Sequence, residues 1–74
     1  MWETELELLK AQLSKNIKNL RKSKGIAQER LSLEAGVDRT VISKIERQIA
    51  NPSLEILIKI AVYLDVKVID LLKK

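Results

Sequence analysis

Hydrogen-bond donors lie along one side of the segment from residue 39 to 47, where we expect a short helix. With Ile42 and Ile45 turned inward, helical periodicity places Thr40, Ser43, Lys44 and Arg47 on the opposite face, while Arg39 projects from the amino-terminal turn. Arg39 can bridge guanine O6 and N7, and Thr40 offers both a hydroxyl and a methyl that suits thymine. The pattern predicts recognition of bases and phosphates in a DNA major groove, with an ordinary polar helix face as the alternative.

The composition excludes most catalytic chemistry. The 74 residues contain no Cys and no His, which removes disulfides, thiolate and imidazole metal ligands, and every nucleophile–histidine dyad. Paired carboxylates in a cleft would be needed instead, but the acidic residues Glu3, Glu5 and Glu7 look solvated. We therefore expect no catalytic residue, no metal, no cofactor, no small-molecule ligand and no enzyme activity.

Charge is distributed unevenly along the chain. The net charge is +4, with the first acidic cluster followed by a basic block made of Lys10, Lys15, Lys18, Arg21, Lys22 and Lys24. This asymmetry permits a polyanionic partner without proving one, since basic helix faces are often only solvated. The longest apolar run is five residues, Ile60-Ala61-Val62-Tyr63-Leu64, against about 20 for a membrane span. We expect a cytoplasmic protein that does not enter the membrane.

The elements that position the donors are predicted to be five helices in one all-α domain over residues 1–74. The first is expected from about Thr4 to Ser23, because its apolar residues recur in one stripe, namely Leu6, Leu9, Leu13, Ile17 and Leu20. Trp2 and Leu8 are placed outside this stripe, without an assigned role. Further helices are expected at 28–35, at 39–47 behind an Asp38 cap, after Asn51-Pro52-Ser53, and at 68–72.

Only Gly36 and Val37 separate the second helix from the cap of the third. A connection this short makes a tight corner, and Gly36 supplies the positive φ that the corner requires. Leu31, Ala35 and Val37 supply the inward positions before the third helix. The segment from Gln28 to Arg47 thus has the pattern of a helix-turn-helix.

These residues resemble the phage-repressor and Cro type (XRE family) of helix-turn-helix domain. The resemblance runs from about Leu13 to Leu72 and is carried by Ile17, Leu20-Arg21, Lys24-Gly25, Gln28-Glu29, Leu31, Ala35-Gly36-Val37, Ile42-Ser43, Ile45-Glu46 and Pro52-Ser53-Leu54. Within that family, Gly36-Val37-Asp38-Arg39-Thr40 and Asn51-Pro52-Ser53-Leu54-Glu55-Ile56 look most like restriction-modification controller proteins. Ala27 departs from the family, which usually has Ser or Thr as the helix cap there, and Ala50 replaces a residue that is often basic.

The resemblance implies a role for several positions. Gln28 corresponds to a glutamine that binds a phosphate, while Arg47, Gln48 and Asn51 are left to make the loop contacts to DNA. Arg21 and Glu46 fall where the family has a partly buried ion pair. The family's dimer contact implicates Ile49, Ile56 and Val68.

The fourth helix is apolar on nearly all sides, so its sequence pattern does not determine which side faces the core. We expect Leu54, Leu57, Ile58, Ala61 and Leu64 to face the core. Ile56, Ile60 and Tyr63 form a second apolar line that either the first and fifth helices or another protomer must cover. We favour the dimer for Ile56 and leave Ile60 and Tyr63 open.

The sequence therefore predicts a homodimeric transcriptional regulator that binds a near-palindromic duplex operator, most like one that controls restriction-modification genes. RNA polymerase is left open as a further partner. A phage or plasmid repressor of the same fold, and an antitoxin-like helical module that binds a protein, are the alternatives.

Overall fold

The computed structural model describes residues 1–74 as five α-helices joined by short loops. The helices are α1 (Trp2–Ser23), α2 (Gln28–Ala35), α3 (Arg39–Glu46), α4 (Leu54–Leu64) and α5 (Val68–Leu72). The predicted all-α class is confirmed, and α2 and α5 have the predicted bounds. Helix α3 packs against α1 and α2, while α4 packs against α2 and α5.

Helix α1 begins two residues earlier than predicted, at Trp2 instead of Thr4. Trp2 precedes Leu6 by four residues, so it continues the apolar stripe, and its placement outside the stripe was wrong. Leu13 and Ile17 are buried, whereas Trp2 is 68% exposed. At 22 residues, α1 is roughly 33 Å long and accounts for most of the molecule's longest dimension of 36 Å.

Side-chain caps fix where α3 and α4 begin. Asp38 Oδ1 accepts a hydrogen bond from the Thr40 amide at 2.7 Å, and Ser53 Oγ accepts one from the Ile56 amide at 3.2 Å. Helix α2 starts behind Ala27, which has no side-chain acceptor. The start of α3 is thus held locally, whereas α2 depends on tertiary packing.

The core consists of eleven buried apolar residues from all five helices and the turn: Leu13, Ile17, Leu31, Val37, Ile42, Ile45, Leu57, Ile60, Ala61, Leu64 and Leu71. Ile60 is completely buried, and Tyr63 is half-buried against this core. The prediction that Leu54 and Ile58 face the core is wrong, since both are exposed, as is Val62. Periodicity could not orient α4, because a helix apolar on most sides is oriented by the helices that cover it.

Helix α5 is attached to α1 through a polar contact. Asn16 Nδ2 donates to the Leu71 carbonyl at 2.9 Å and to the Lys73 carbonyl at 2.6 Å. These carbonyls belong to the last turn of α5 and the residue after it, which have no partner within the helix. Asn16 therefore closes the C-terminal end of the fold on the middle of α1.

Candidate nucleic-acid interface

The turn between α2 and α3 holds the two helices in one fixed arrangement. Gly36 has a left-handed backbone with φ of 72°, which an L side chain would strain. The amides of Gly36 and Val37 both donate to the Ser32 carbonyl at 3.0 Å, and the Ser32 hydroxyl donates back to the Val37 carbonyl. The corner is therefore closed by main-chain and side-chain bonds, and α3 leaves it at a defined angle.

The outer face of α3 carries the donors that the sequence placed there. Arg39, Thr40, Lys44 and Arg47 are exposed and Ser43 is half-buried; Arg39, Thr40, Ser43 and Arg47 line one shallow depression. The ion pairs of the structure, Glu7–Lys10, Arg21–Glu46, Glu55–Lys59 and Asp70–Lys73, include none of the cations on this face. Arg47 only reaches its own helix, with Nε 3.4 Å from the Ser43 carbonyl. The face thus presents donors with little competition from protein acceptors.

The inner face of α3 carries a carboxylate held by two other helices. Arg21 of α1 donates through Nε to Glu46 Oε2 at 2.8 Å and through Nη2 to Glu46 Oε1 at 2.9 Å. The side chains are 13% and 4% exposed respectively. Arg21 Nη1 also donates to the Ile26 carbonyl at 2.8 Å, in the loop before α2. One guanidinium therefore joins α1, the loop and the end of α3 with two parallel bonds to a carboxylate, a geometry that lysine cannot reproduce.

The protonation of Glu46 follows from these contacts. Burial alone raises its pKa, but hydrogen bonds from Arg21 and Gln28 and the positive charges of Arg21 and Lys18 reverse this effect, so the pKa lies below its ordinary value. The hydrogen bond to Glu46 raises the pKa of Arg21 further, against the opposing effect of burial. Glu46 is therefore ionised at neutral pH and remains paired.

Gln28 belongs to this support as well as to the surface. Its Nε2 donates to Glu46 Oε1 at 3.0 Å, and the residue is half-buried. An amide nitrogen has two hydrogens, so one remains for an external acceptor near the start of α2. The sequence indicated only a phosphate contact and missed the bond to Glu46, because residues 18 apart give no periodic signal.

Ser14 is a second supporting residue that the sequence did not indicate. It is buried, and its Oγ donates to the Glu46 carbonyl at 2.7 Å, satisfying an acceptor at the end of α3. Ser14 lies three residues before Ile17 and so on the inward side of α1. A small polar residue at an inward position was the available signal.

The loop after α3 contains the remaining residues that the sequence predicts to contact DNA or a second chain. Gln48 has a left-handed backbone with φ of 64°, unusual for a residue with a side chain, and Gln48 and Asn51 are exposed. Ile49 is 58% exposed. Ile56 and Val68 are half-buried against the core, so only part of each surface is available to another chain.

No group of His, Cys, Asp or Glu side chains in the structure is arranged to hold a metal ion. No helix combines the length and the apolarity needed to cross a bilayer.

Comparison with known proteins agrees with this architecture. Residues 17–71 match the helix-turn-helix family model. The transcriptional regulator SinR of Bacillus subtilis is 41% identical over 61 residues, 81% of this chain and 55% of SinR. The restriction-modification controller protein C.AhdI of Aeromonas hydrophila is 32% identical with a TM-score of 0.79, over 84% of this chain and 94% of that one. A structure of SinR in complex with DNA is 40% identical with a TM-score of 0.79, over 82% and 98% of the two chains.

The matched region contains the whole arrangement from Arg21 to Asn51. The chain spans just over half the length of the SinR regulators that it matches. These relatives are named as transcriptional regulators and not as enzymes, in agreement with the prediction of a non-catalytic domain. The likeness to controller proteins that the sequence suggested is also found in the fold. With its family model matched over residues 17–71 and its turn and third helix in place, the chain belongs to the helix-turn-helix family.

Proposed function

We propose that this chain is a sequence-specific regulator of transcription that inserts α3 into the major groove of duplex DNA. The observation that carries the proposal is the contrast across α3, whose inner carboxylate is fully bonded while the cations of its outer face form no ion pair within the protein. Arg39 lies at the first position of α3, the end that approaches base edges in this type of motif. Its planar fork suits guanine, while Thr40 and Ser43 can read neighbouring bases.

Phosphate contacts fix the position of the protein on the duplex. We assign them to Lys44 and Arg47 on α3, to the free amide hydrogen of Gln28, and to Gln48 and Asn51 in the loop. The basic excess of the chain supports this assignment, since the net charge is +4. A DNA-binding role implies that the protein works in the cytoplasm, where the DNA is.

We further propose that the regulator acts as a homodimer on a near-palindromic operator and controls restriction-modification genes. An exposed apolar row on α4, made of Leu54, Ile58 and Val62, supports the dimer together with the exposed Ile49 and Ile69. Small domains with such surfaces commonly gain stability by association.

The controller protein C.AhdI is similar to this chain over nearly the whole length of C.AhdI, which supports restriction-modification genes as the regulated genes. Contact with RNA polymerase is part of this proposal.

Salt dependence of duplex binding tests the DNA-binding role. We expect the logarithm of the binding constant to fall linearly with the logarithm of salt concentration, with a slope near −0.9 per neutralised phosphate. Arg47→Ala should reduce the slope by about one phosphate per protomer. Lys59→Ala is the matched control, because Lys59 is an exposed cation on α4 paired with Glu55. No binding to any duplex in a randomised-site selection would reject the proposal and favour a protein-binding module.

Light scattering on a size-exclusion column tests the homodimer. Ile56 is a poor position for a disrupting charge, because it packs against the core and Ile56→Asp would also destabilise the fold. Leu54→Asp avoids this problem, since Leu54 is exposed. We expect the wild type to elute at twice the chain mass and Leu54→Asp to elute at the chain mass with its helical circular dichroism retained. A wild type that stays monomeric at millimolar concentration would reject the homodimer.

A further inference from the structure

The first two turns of α1, residues 2–9, have an apolar side that the rest of the chain covers only in part, and we call them the N-terminal arm. They precede the residues that match the family model. Trp2, Leu6 and Leu9 continue the stripe that buries Leu13 and Ile17. Within the chain this continuation is only partly covered, since Trp2 is 68% exposed and Leu6 and Leu9 are half-buried. The arm is therefore an amphipathic helix whose apolar side lacks a complete partner.

Little in the arm itself would keep it helical in water. The helix begins behind Met1 with no side-chain cap, and most helical stability in proteins comes from packing of an apolar face. The acidic residues Glu3 and Glu5 in the first turn interact favourably with the helix dipole, but this effect is small at an exposed site. A surface that covers its apolar side would therefore stabilise the arm.

An apolar groove lies beside the arm and continues toward other exposed apolar residues. Its apolar lining comes from Leu6, Leu9 and Leu13 of α1 and from Pro52, Leu57 and Leu72, and Lys10 and Asn51 are its polar members. Two exposed residues lie one helical turn from this lining, since Leu54 precedes Leu57 on α4 and Ile69 precedes Leu72 on α5. The groove therefore adjoins the apolar surface proposed above for the dimer.

The charge of the arm indicates which kind of partner surface it can contact. The arm holds three of the ten acidic residues and none of the fourteen Lys and Arg residues of the chain. Glu7 pairs with Lys10, which leaves Glu3 and Glu5 unpaired. These carboxylates oppose contact with DNA or with an anionic membrane, whereas the rest of the chain is strongly basic and complements them.

From these observations we infer that the N-terminal arm packs on a second copy of this chain, with Trp2 buried against the groove formed by α1, α4 and α5 of that copy. The inference rests on the proposed homodimer. A two-fold axis makes the exchange reciprocal, so that two arms and two grooves are covered together. The arm thereby extends the apolar contact made by the outer row of α4.

Trp2 provides the test, because it is the only tryptophan in the chain. Its emission is recorded over a dilution series of the intact 74-residue protein, with mass followed in parallel by sedimentation. We expect the emission maximum to move to shorter wavelength over the same concentrations at which the mass doubles, since the indole leaves water on association. An emission maximum that stays constant while the mass doubles would overturn the role of the arm and leave the homodimer intact.

A matched pair of variants shows whether dimerisation depends on the apolar stripe of the arm or on any apolar residue in the arm. Trp2→Ala should weaken dimerisation by about tenfold or more, because two large aromatic surfaces lose their cover. Leu8→Ala is the control, since Leu8 is 51% exposed but lies off the stripe, and it should change the dimer constant by less than about twofold. Equal weakening by both variants would overturn the assignment to the stripe. A mass that never doubles would reject the arm inference together with the homodimer.

Discussion

The two faces of α3 use polar side chains in opposite ways. On the inner face, Glu46 receives two bonds from Arg21 and one from Gln28, and no buried side-chain polar atom in the structure is left without a partner. On the outer face, Arg39, Thr40 and Lys44 are exposed and form no ion pair. Polar groups that are fully bonded within the protein hold a helix in position, whereas groups left unbonded are available to a partner.

The two faces should therefore respond differently to substitution. Loss of a donor on the inner face leaves a buried acceptor or charge without a hydrogen-bond partner, which destabilises the folded state. Loss of a donor on the outer face leaves the fold unchanged and removes a contact from the DNA complex. We therefore expect inner-face variants to change the free energy of unfolding and outer-face variants to change DNA affinity.

The largest effect is expected for Arg21→Ala. This change leaves the Glu46 carboxylate, only 4% exposed, without its main partner, and breaking a buried pair in this way costs about 3 to 5 kcal/mol. Urea unfolding followed by circular dichroism measures the loss. The double variant Arg21→Ala/Glu46→Ala should recover part of it. Strictly additive losses in this cycle would mean that the pair contributes no coupling energy.

A smaller effect on the same face is expected from pH. The pKa of Glu46 is below its ordinary value of 4.5 in the folded chain, so the unfolded chain takes up a proton first as the pH falls. Its contribution to the free energy of unfolding is therefore complete above the ordinary value and decreases as the pH falls toward the folded pKa. Comparison of wild type with Glu46→Gln over this acid range isolates the contribution. Identical pH dependence in the two proteins would contradict the assignment.

The outer face should give an effect on binding instead of folding. Arg39→Ala should weaken operator binding by about 1 to 3 kcal/mol per half-site and relax base preference at one symmetric position. The free energy of unfolding should change by less than about 0.5 kcal/mol, because Arg39 is exposed. Site selection on wild type and variant in parallel measures the preference. Unchanged preference at every position would reject direct readout by Arg39 and point to Thr40, Ser43, Lys44 or DNA shape.

Sequence reasoning was most effective where the signal was local. The bounds of α2 followed from Gln28 and Gly36, and the start of α3 followed from the Asp38 cap, because short-range backbone chemistry determines both. It failed for Leu54 and Ile58, since nothing within α4 states which side its neighbours cover. The bond from Ser14 to the Glu46 carbonyl joins residues 32 apart and depends on how α1 meets α3, which a single sequence does not encode in any periodic pattern.

Gln28 has a role both in the support of Glu46 and in the proposed DNA contact. We expect Gln28→Ala to give the smallest change of the series in the free energy of unfolding and in DNA affinity. One hydrogen bond to Glu46 is lost, but both bonds from Arg21 remain, so the free energy of unfolding should fall by only about 1 kcal/mol. If the second amide hydrogen binds a phosphate, operator and random duplexes should weaken alike and the ranked list of preferred sequences should not change. The salt slope should also stay constant, because the side chain is neutral.

Gln28→Glu is the sharper variant, since it places a carboxylate beside Glu46 and beside the proposed phosphate, and it should weaken both folding and binding more than Gln28→Ala. A Gln28→Glu variant that lost stability but bound operator as well as Gln28→Ala would assign Gln28 to the inner face alone.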